Sequence, residues 1–475
     1  MNEIVTEKTD FLHLAKRVLL LSIPAILAEM TSTVMQYIDA AMVGSLGKEA
    51  TAAIGLVSTS TWLIGGICIS AAIGFSVQVA QLIGAGKNED ARSVFRQSLS
   101  VVMLFSILLM GAAISISGFL PKWLGGEESI RKNASAYFLI FAFGLPFEQL
   151  RMLSAQMLQC SGNIKTPSVL NIMLCVLDVI FNFIFIFPTR SISLPFTGSV
   201  VTVFGMGLGV EGAALGTALS EVCISLTMLY YACARSDKLA LKLGGSPKLR
   251  RQCIANAVRI SLPVAFEHIA TCGAYIAATK ITAPLGSTAV AANSLAVTAE
   301  SFCYMPGYGA GTAATTLIGQ SLGAKRKDLA RKYAWITIII GILMMSAAAV
   351  VMYFSAPVMF SILTKSQEVR ILGVRVLRIE AFAEPLYAAA IVCSGVLRGA
   401  GVTLVPSIIN LVSMWGVRIV LSLVLVSGMG LVGIWLAMCI ELCFRGTLML
   451  ARTIHGKWLN KVVIRKYAIT QTDRI

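Results

Sequence analysis

The chain has 475 residues, of which 57% are hydrophobic and only 13% are charged. Soluble domains carry about 25% charged residues, so this composition excludes an ordinary soluble protein and, with a mean hydropathy of +0.81, indicates a polytopic membrane protein. The net charge of +16 would by itself suit a nucleic-acid partner, but the basic residues are explained by membrane topology, as argued below. The cysteines form no CxxC pair and the three histidines lie far apart, so the sequence predicts neither a zinc site nor a disulfide framework.

The first apolar run, residues 17–41, contains a proline and is interrupted by acidic and amide side chains. Pro24 removes one helical hydrogen bond and should kink the helix. Glu29, Gln36 and Asp39 interrupt the same run. Because a carboxylate that faces lipid is costly, we expect Asp39 to face a protein interior or a watery cavity.

Along the whole chain, twelve apolar runs are long enough to cross a bilayer, which takes about 20 residues. The sequence therefore predicts an all-α polytopic membrane protein with 12 transmembrane helices. The runs are 17–41, 52–82, 94–120, 133–159, 167–187, 210–234, 253–282, 288–318, 333–356, 371–397, 404–427 and 431–452.

The orientation follows from the distribution of Lys and Arg. The largest basic groups lie at 235–251, between the sixth and seventh helices, and at 325–332, between the eighth and ninth. Since short cytoplasmic loops are enriched in Lys and Arg, both groups should be cytoplasmic. We therefore predict a multi-pass protein of the cell (cytoplasmic) membrane, with both termini cytoplasmic, the lipid bilayer as its surroundings and no nucleic-acid partner.

The chain also repeats itself. Residues 22–92 shifted by 239 positions lie without a gap on residues 261–331. The frame fails only near 188–208, where the first half has an extra loop of roughly 18 residues that should be extracellular. Among the identical pairs are Ser22 and Ser261, Pro24 and Pro263, Gln81 and Gln320, and Gly84 and Gly323.

Each half holds an even number of helices, so both halves start on the same side of the membrane. They must then be related by an axis along the membrane normal, as a parallel repeat. We predict two six-helix lobes related by a parallel pseudo-two-fold repeat, the first at 1–234 and the second, with a cytoplasmic tail, at 252–475. The basic segment 235–251 would be a cytoplasmic linker between them. Two such bundles around a shared cavity suit an alternating-access carrier.

Several motifs resemble those of the multidrug and toxic compound extrusion (MATE) transporters, and the likeness runs through the whole chain in order. They are the first helix ending in Asp39-Ala40-Ala41-Met42-Val43-Gly44, the segment Gln81 to Gly86 with its second copy at Gln320 to Ala324, Gly162-Asn163-x-x-Thr166-Pro167 followed by Asn171, Asp178 and Asn182, and the Gly209 to Ala218 segment. The resemblance implies export of organic, often cationic, compounds in exchange for protons or sodium ions.

The resemblance also implies a cation-coupling site. One subgroup of the family uses an acidic residue in the first helix, which Asp39 matches, with Gln36 one turn before it. That subgroup adds a polar pair on the fifth helix, here Asp178 and Asn182, four residues apart on one face. The site would hold H⁺ or, at Asp39 and Asp178, Na⁺, and no further cofactor or metal is predicted.

Other family members carry a glutamate in the middle of the seventh helix. Here that position is Thr271, and Glu267 lies one turn earlier. Glu267 and its neighbour His268 follow the kinking proline of the second half, as Glu29 follows Pro24 in the first. We expect Glu29, Glu267 and His268 to line the substrate cavity; the alternative is pairing with a neighbour such as Arg259.

Three further residues complete the predicted cavity: Tyr37, Glu380 and Glu384. The two glutamates are four residues apart on the tenth helix and would form an acidic face in the second lobe, unless they balance the charge of Arg378. Glu300 and Arg418 are also intramembrane and are expected to pair.

No enzyme chemistry is indicated, and the chain lacks a Walker-type GxxxxGK[ST] segment. The predicted function is a secondary active multidrug exporter that takes small-molecule drugs or organic cations and works as a monomer. The alternative within the same superfamily is a lipid-linked saccharide flippase; cationic rows that would hold phosphate are absent, and the intramembrane charges are mostly acidic. A channel or receptor is a third alternative, which the asymmetric placement of acids between the halves makes less suitable.

Overall fold

The computed structural model describes residues 10–193, 200–241 and 249–464. Within those ranges long helices follow one another along the chain, and we number them α1 to α12. Their bounds are α1 Phe11–Gly44, α2 Lys48–Gly84, α3 Asn88–Ser117, α4 Glu128–Cys160, α5 Lys165–Ile186, α6 Gly209–Tyr230, α7 Arg251–Thr282, α8 Ser287–Gly323, α9 Lys327–Leu363, α10 Gln367–Glu380 with Glu384–Gly399, α11 Leu404–Val412 with Ser413–Ile419 and Val420–Met429, and α12 Leu431–Ile454.

These twelve helices confirm the twelve predicted spans. Ten of the helices among the described residues are long and apolar enough to cross a membrane, and α8 and the two pieces of α10 complete the set. The break in α10 at residues 381–383 differs from the uninterrupted run predicted there. Pro385 contributes to it, because proline has no N–H group to donate and its ring clashes with the carbonyl four residues earlier, although α4 continues through the equivalent Pro146.

Among the described connections, one holds a short α-helix and another holds a β-hairpin. A short helix, Leu120–Trp123, lies between α3 and α4. Strands β1 Pro188–Ser193 and β2 Val200–Met206 pair antiparallel in the loop before α6, where the sequence predicted an insertion. We call the end of the bundle that carries this hairpin the hairpin end, and the opposite end, which carries the α2–α3, α6–α7 and α8–α9 connections, the basic end. Residues 1–9, 242–248 and 465–475, which belong to the predicted cytoplasmic segments, lie outside the described residues.

Packing between the halves follows the pseudo-two-fold symmetry. α1 packs against α8, and its counterpart α7 packs against α2, the counterpart of α8. α2 and α8 also pack against each other. Exchanging the two halves therefore maps this interface onto itself, which is the behaviour expected of a parallel repeat.

The first helix of each half starts inside the core of the other half. Leu14 and Val18 of α1 are fully buried in a cluster formed otherwise by α8, α9, α10, α12 and the residues after α12. At the equivalent positions of α7, Cys253 and Ala257 are buried in the cluster of α2 to α6. α1 thus leaves the second half at the basic end and reaches the first half towards the hairpin end, where it packs against α5.

At the basic end, α2 and α8 cross at the repeated Gln-x-x-Gly motif. A Cβ atom at Gly84 would overlap the backbone of Gln320, and one at Gly323 would overlap the backbone of Gln81. The glutamine side chains reach across the halves as well: Gln81 Nε2 donates to the Gly399 carbonyl at 3.3 Å. Gln320 Nε2 donates to the Cys160 carbonyl, the equivalent group of the other half, at 2.8 Å.

The segment after α12 covers this crossing. Trp458 and Leu459 are buried in the core of the second half. A few residues later Ile464 packs against the core of the first half. Between them the Val463 N–H donates to Gln81 Oε1 at 2.8 Å. The segment 457–464 therefore ties the two halves together at the basic end.

Candidate functional site

Three of the predicted coupling residues meet between α1 and α5, in the half of the bundle nearer the hairpin end. The Asn182 side-chain nitrogen donates to Asp39 Oδ1 at 2.9 Å and to Asp178 Oδ2 at 2.9 Å. Asp178 and Asn182 are one turn apart on α5 and each is 1% exposed, whereas Asp39 on α1 is half-buried. One amide group thus bridges two carboxylates on different helices.

The local sequence explains why the amide fits there. A Cβ atom at Gly216 of α6 would overlap Asn182 Oδ1, so the glycine allows α6 to approach the α5 pair. The next residue, Thr217, lies beside Asp178. Both belong to the glycine-rich segment that sequence analysis singled out in α6.

The donor set suits a small oxygen-preferring cation or a proton. Among the described residues, Asp178 Oδ1 and Asn182 Oδ1 are buried and have no hydrogen-bond partner. Buried acceptor oxygens without a donor are costly, and two neighbouring carboxylates repel each other. A cation or a shared proton at this cluster would remove both costs, and carboxylate and amide oxygens are the ligands that hard cations prefer.

The other predicted α1 residues lie outside this cluster. Gln36 is exposed on α1, and its place in cation coupling stays a prediction. Glu29 has an exposed side chain five residues after Pro24, with the Arg151 guanidinium as its charged neighbour, and its place in the substrate cavity stays a prediction. Tyr37 instead spans the two halves: its hydroxyl donates to the Thr298 carbonyl at 2.8 Å.

In the second half, Glu267 is held by donors on α10 and α11. Arg398 lies 3.3 Å from Glu267 Oε1, Ser407 donates to Glu267 Oε2 at 2.7 Å, and Asn410 also donates to this carboxylate. Glu267 therefore pairs with Arg398 and not with Arg259. Because both oxygens of Glu267 accept hydrogen bonds, the carboxylate is held against α10 and α11.

His268 faces the first half. A Cβ atom at Gly66 of α2 would touch its imidazole ring, so the ring packs against α2 where that helix has no side chain. Glu29 and His268, equivalent in sequence, thus differ in surroundings: one side chain is exposed and the other is an interhelical contact.

Glu380 and Glu384 flank the break in α10, and both are 0% exposed. Glu300 of α8 joins them, so that one oxygen of each of the three carboxyl groups lies within 4.8 Å of the other two. Arg418 is the nearby cation, as the sequence suggested for Glu300, but its described hydrogen bond goes to the Met438 sulfur. The predicted acidic face exists as a buried three-carboxyl cluster, and its role in substrate binding stays a prediction.

Sequence reasoning missed two buried ion pairs. Arg151 of α4 lies 2.6 Å from Glu221 of α6 and also donates to Asn171 of α5. Arg445 of α12 binds Glu441 through two hydrogen bonds of 2.8 and 2.9 Å. The signal that could have found them is the presence of opposite charges inside apolar runs, which are rarely tolerated without a partner.

Breaking the second pair should destabilise the protein. Glu441 is fully buried and also accepts a hydrogen bond from Ser413, so Arg445→Met would leave an uncompensated carboxylate. We expect a loss of about 3–5 kcal/mol, measured as a lower midpoint of thermal unfolding in detergent. The double variant Arg445→Met/Glu441→Met is the control and should recover most of the loss, because replacing both partners by apolar groups is nearly neutral. An equal loss in both variants would contradict this account.

The chain matches a family model and is similar to known proteins over nearly its whole length. The family model MatE matches residues 24–184 and again residues 263–424, so the two matches begin at equivalent positions of the repeat. The chain is 24% identical over 472 residues to the probable multidrug resistance protein NorM of Thermotoga maritima, covering 98% of this chain and 97% of that protein. It is 24% identical over 442 residues to the probable multidrug resistance protein YoeA of Bacillus subtilis, covering 91% and 92%.

Solved structures are similar over nearly the whole length. An outward-facing multidrug resistance MATE family transporter superposes with a TM-score of 0.86 at 20% identity, covering 97% of this chain and 99% of that one. The Vibrio cholerae MATE transporter VcmN superposes with a TM-score of 0.85 at 20% identity, covering 95% and 99%. The shared fold is the twelve-helix arrangement described above.

Proposed function

The chain belongs to the MatE family, and from this premise we propose that it is a secondary active multidrug exporter of the cytoplasmic membrane, which exchanges organic, often cationic, compounds for H⁺ or Na⁺. The observation that carries the proposal is the Asn182 amide bridging Asp39 and Asp178 across α1 and α5. The names of the relatives, which are multidrug resistance proteins, support the cargo class.

The coupling step uses the two carboxylates as the cation site. A cation or proton that enters from the hairpin end, which would be the extracellular side, binds between Asp39 and Asp178, offsets one of their two negative charges and draws α1 towards α5. Because α1 starts in the core of the second half, a change at Asp39 also bears on the contact between the halves. Loading the cation would thus favour one arrangement of the two halves and unloading would favour the other, which is what exchange requires.

The acidic residues support a cationic cargo. Glu29 offers an exposed carboxylate near the middle of α1, five residues after Pro24. A flippase for lipid-linked saccharides is less well supported, because its phosphate cargo would call for cationic side chains where this protein has carboxylates. The monomeric state and the cytoplasmic position of both termini belong to the same proposal.

Transport in proteoliposomes tests it. Purified protein is reconstituted and the efflux of ethidium is followed, first under an imposed proton gradient and then under a sodium gradient of equal size. We expect one inward cation gradient to accelerate efflux, and an ionophore that dissipates that gradient to remove the acceleration. An efflux rate that is the same with and without either gradient would contradict the exchange mechanism. Transport of a lipid-linked saccharide in place of ethidium would favour the flippase.

A further inference from the structure

The buried carboxyl cluster of the second half has no part in the function proposed above. Glu300 lies on α8, Glu380 ends the first piece of α10, and Glu384 begins the second piece. The exposed fractions are 6% for Glu300 and 0% for the other two. The equivalent positions of the first half are Thr61, Phe141 and Leu145, so the cluster exists only once in the chain.

The oxygens of this cluster lack donors. Among the described residues, neither oxygen of Glu380 and neither oxygen of Glu384 has a hydrogen-bond partner, although both side chains point into the cluster. Cys303 lies beside Glu384, but its thiol donates to the Met345 carbonyl. Native structures leave very few buried polar atoms unpaired, so four such oxygens at one place require an explanation.

Charge leads to the same conclusion. Among the described residues, Arg418 of α11 is the cation whose charge acts on this cluster. Arg445 of α12 is bound to Glu441 by two hydrogen bonds, and Arg378 of α10 donates to a backbone carbonyl of α9. The carboxyl groups therefore outnumber the nearby cation, and a bound positive charge would offset the cost of burying carboxylates without a partner.

The spacing fits one metal ion. Oxygen ligands of Ca²⁺ lie at about 2.3–2.6 Å, so two ligands on opposite sides of such an ion are roughly 4.6–5.2 Å apart. The three carboxyl oxygens lie within 4.8 Å of one another, inside that limit. The cluster also sits at a break in a membrane helix, and transporters commonly place coupling ions at such breaks.

We propose that Glu300, Glu380 and Glu384 form a second cation site, which binds a hard, oxygen-preferring metal cation of the size of Na⁺ or Ca²⁺ within the second half. The site is separate from Asp39 and does not require the proposed exchange mechanism. The protein would therefore bind one such ion even when the site between α1 and α5 has been removed.

Equilibrium binding of ²²Na⁺ and, in a second arm, ⁴⁵Ca²⁺ to the purified protein tests this. The variant Asp39→Asn/Asp178→Asn, which removes both carboxylates of the site between α1 and α5, serves as the background, so that any ion bound is held elsewhere. We expect this background to bind one ion per chain in one of the two arms. Adding Glu384→Gln should weaken that binding by at least about tenfold, since even the loss of a group that only supports a metal ligand costs 10–100-fold.

Glu368→Gln is the matched control, because Glu368 is an exposed glutamate on the first turn of the same helix and should leave binding unchanged. If Glu384→Gln does not fold, Glu380→Gln and Glu300→Gln are measured in its place. No binding of either ion to the background that lacks both Asp39 and Asp178 carboxylates would overturn the proposal, as would binding that survives all three substitutions. Export by the same variants reports on the proposed function alone, so the two ideas can fail separately.

Discussion

Replacement of Asp39 by asparagine is expected to abolish gradient-driven export, with efflux from proteoliposomes falling to the level of liposomes without protein. The substitution keeps the size of the side chain and removes the charge that the cation or proton would neutralise. Asn182 donates to both Asp39 and Asp178, and an asparagine at position 39 still offers an oxygen that can accept this hydrogen bond, so the substitution removes the charge and keeps the contact between α1 and α5. Asp178→Asn should act in the same direction, because its carboxyl group is buried in the same cluster.

Glu211→Gln is the control for this prediction. Glu211 is an exposed carboxylate in the first turn of α6, towards the same end of the bundle, and its neutralisation should leave export unchanged. Insertion into the membrane and the unfolding midpoint should match the unsubstituted protein in all three variants. Unchanged export in both Asp39→Asn and Asp178→Asn would show that the cluster does not couple transport to the ion.

Gly84→Val is expected to reduce export strongly by blocking the crossing of α2 and α8. Any side chain at Gly84 overlaps the backbone of Gln320, which cannot give way as a flexible side chain would. Overpacking of this kind costs about 1–3 kcal/mol. Applied to a two-state equilibrium, that cost disfavours the arrangement in which α2 and α8 cross at these glycines by roughly five- to 150-fold.

The reciprocal variant Gly323→Val should behave alike, since Gly323 meets the backbone of Gln81 in the same way. Gly111→Val is the control, because a Cβ atom at Gly111 of α3 has open space around it. Opening of the crossing can be followed separately through Cys160. Its thiol is buried, and its backbone carbonyl accepts the hydrogen bond from Gln320. Faster maleimide labelling of Cys160 in Gly84→Val is expected, and labelling at the unsubstituted rate together with normal export would contradict the argument.

Much of the architecture could be predicted from the sequence because it depends on local signals. Apolar length locates the helices, and the 239-residue frame of the repeat fixes their symmetry. The meeting of Asp39, Asp178 and Asn182 was anticipated from a family resemblance together with the one-turn spacing on α5. In each case the decisive information lies within one helix or in a match between distant segments of the same chain.

What escaped prediction depends on how one helix is rotated against another. Glu380 and Glu384 were predicted as a face of one helix, but Pro385 breaks α10 between them and Glu300 arrives from α8. Likewise, spacing along the chain cannot reveal that Arg398 holds Glu267. Side-chain pairs across helices follow from packing of whole surfaces, which no single-helix periodicity encodes.

The exchanged starts of α1 and α7 have a consequence for how such a fold can arise. Each half contains a place in its core that the first helix of the other half fills. Leu14 and Val18 fill the place in the second half, and Cys253 and Ala257 fill the place in the first half. A half that folded alone would leave its own place uncovered. Two copies of one half around a two-fold axis would cover both places at once, because an isologous interface makes every contact twice. The smallest unit in which both places are covered is therefore a pair of halves, which this chain supplies by itself.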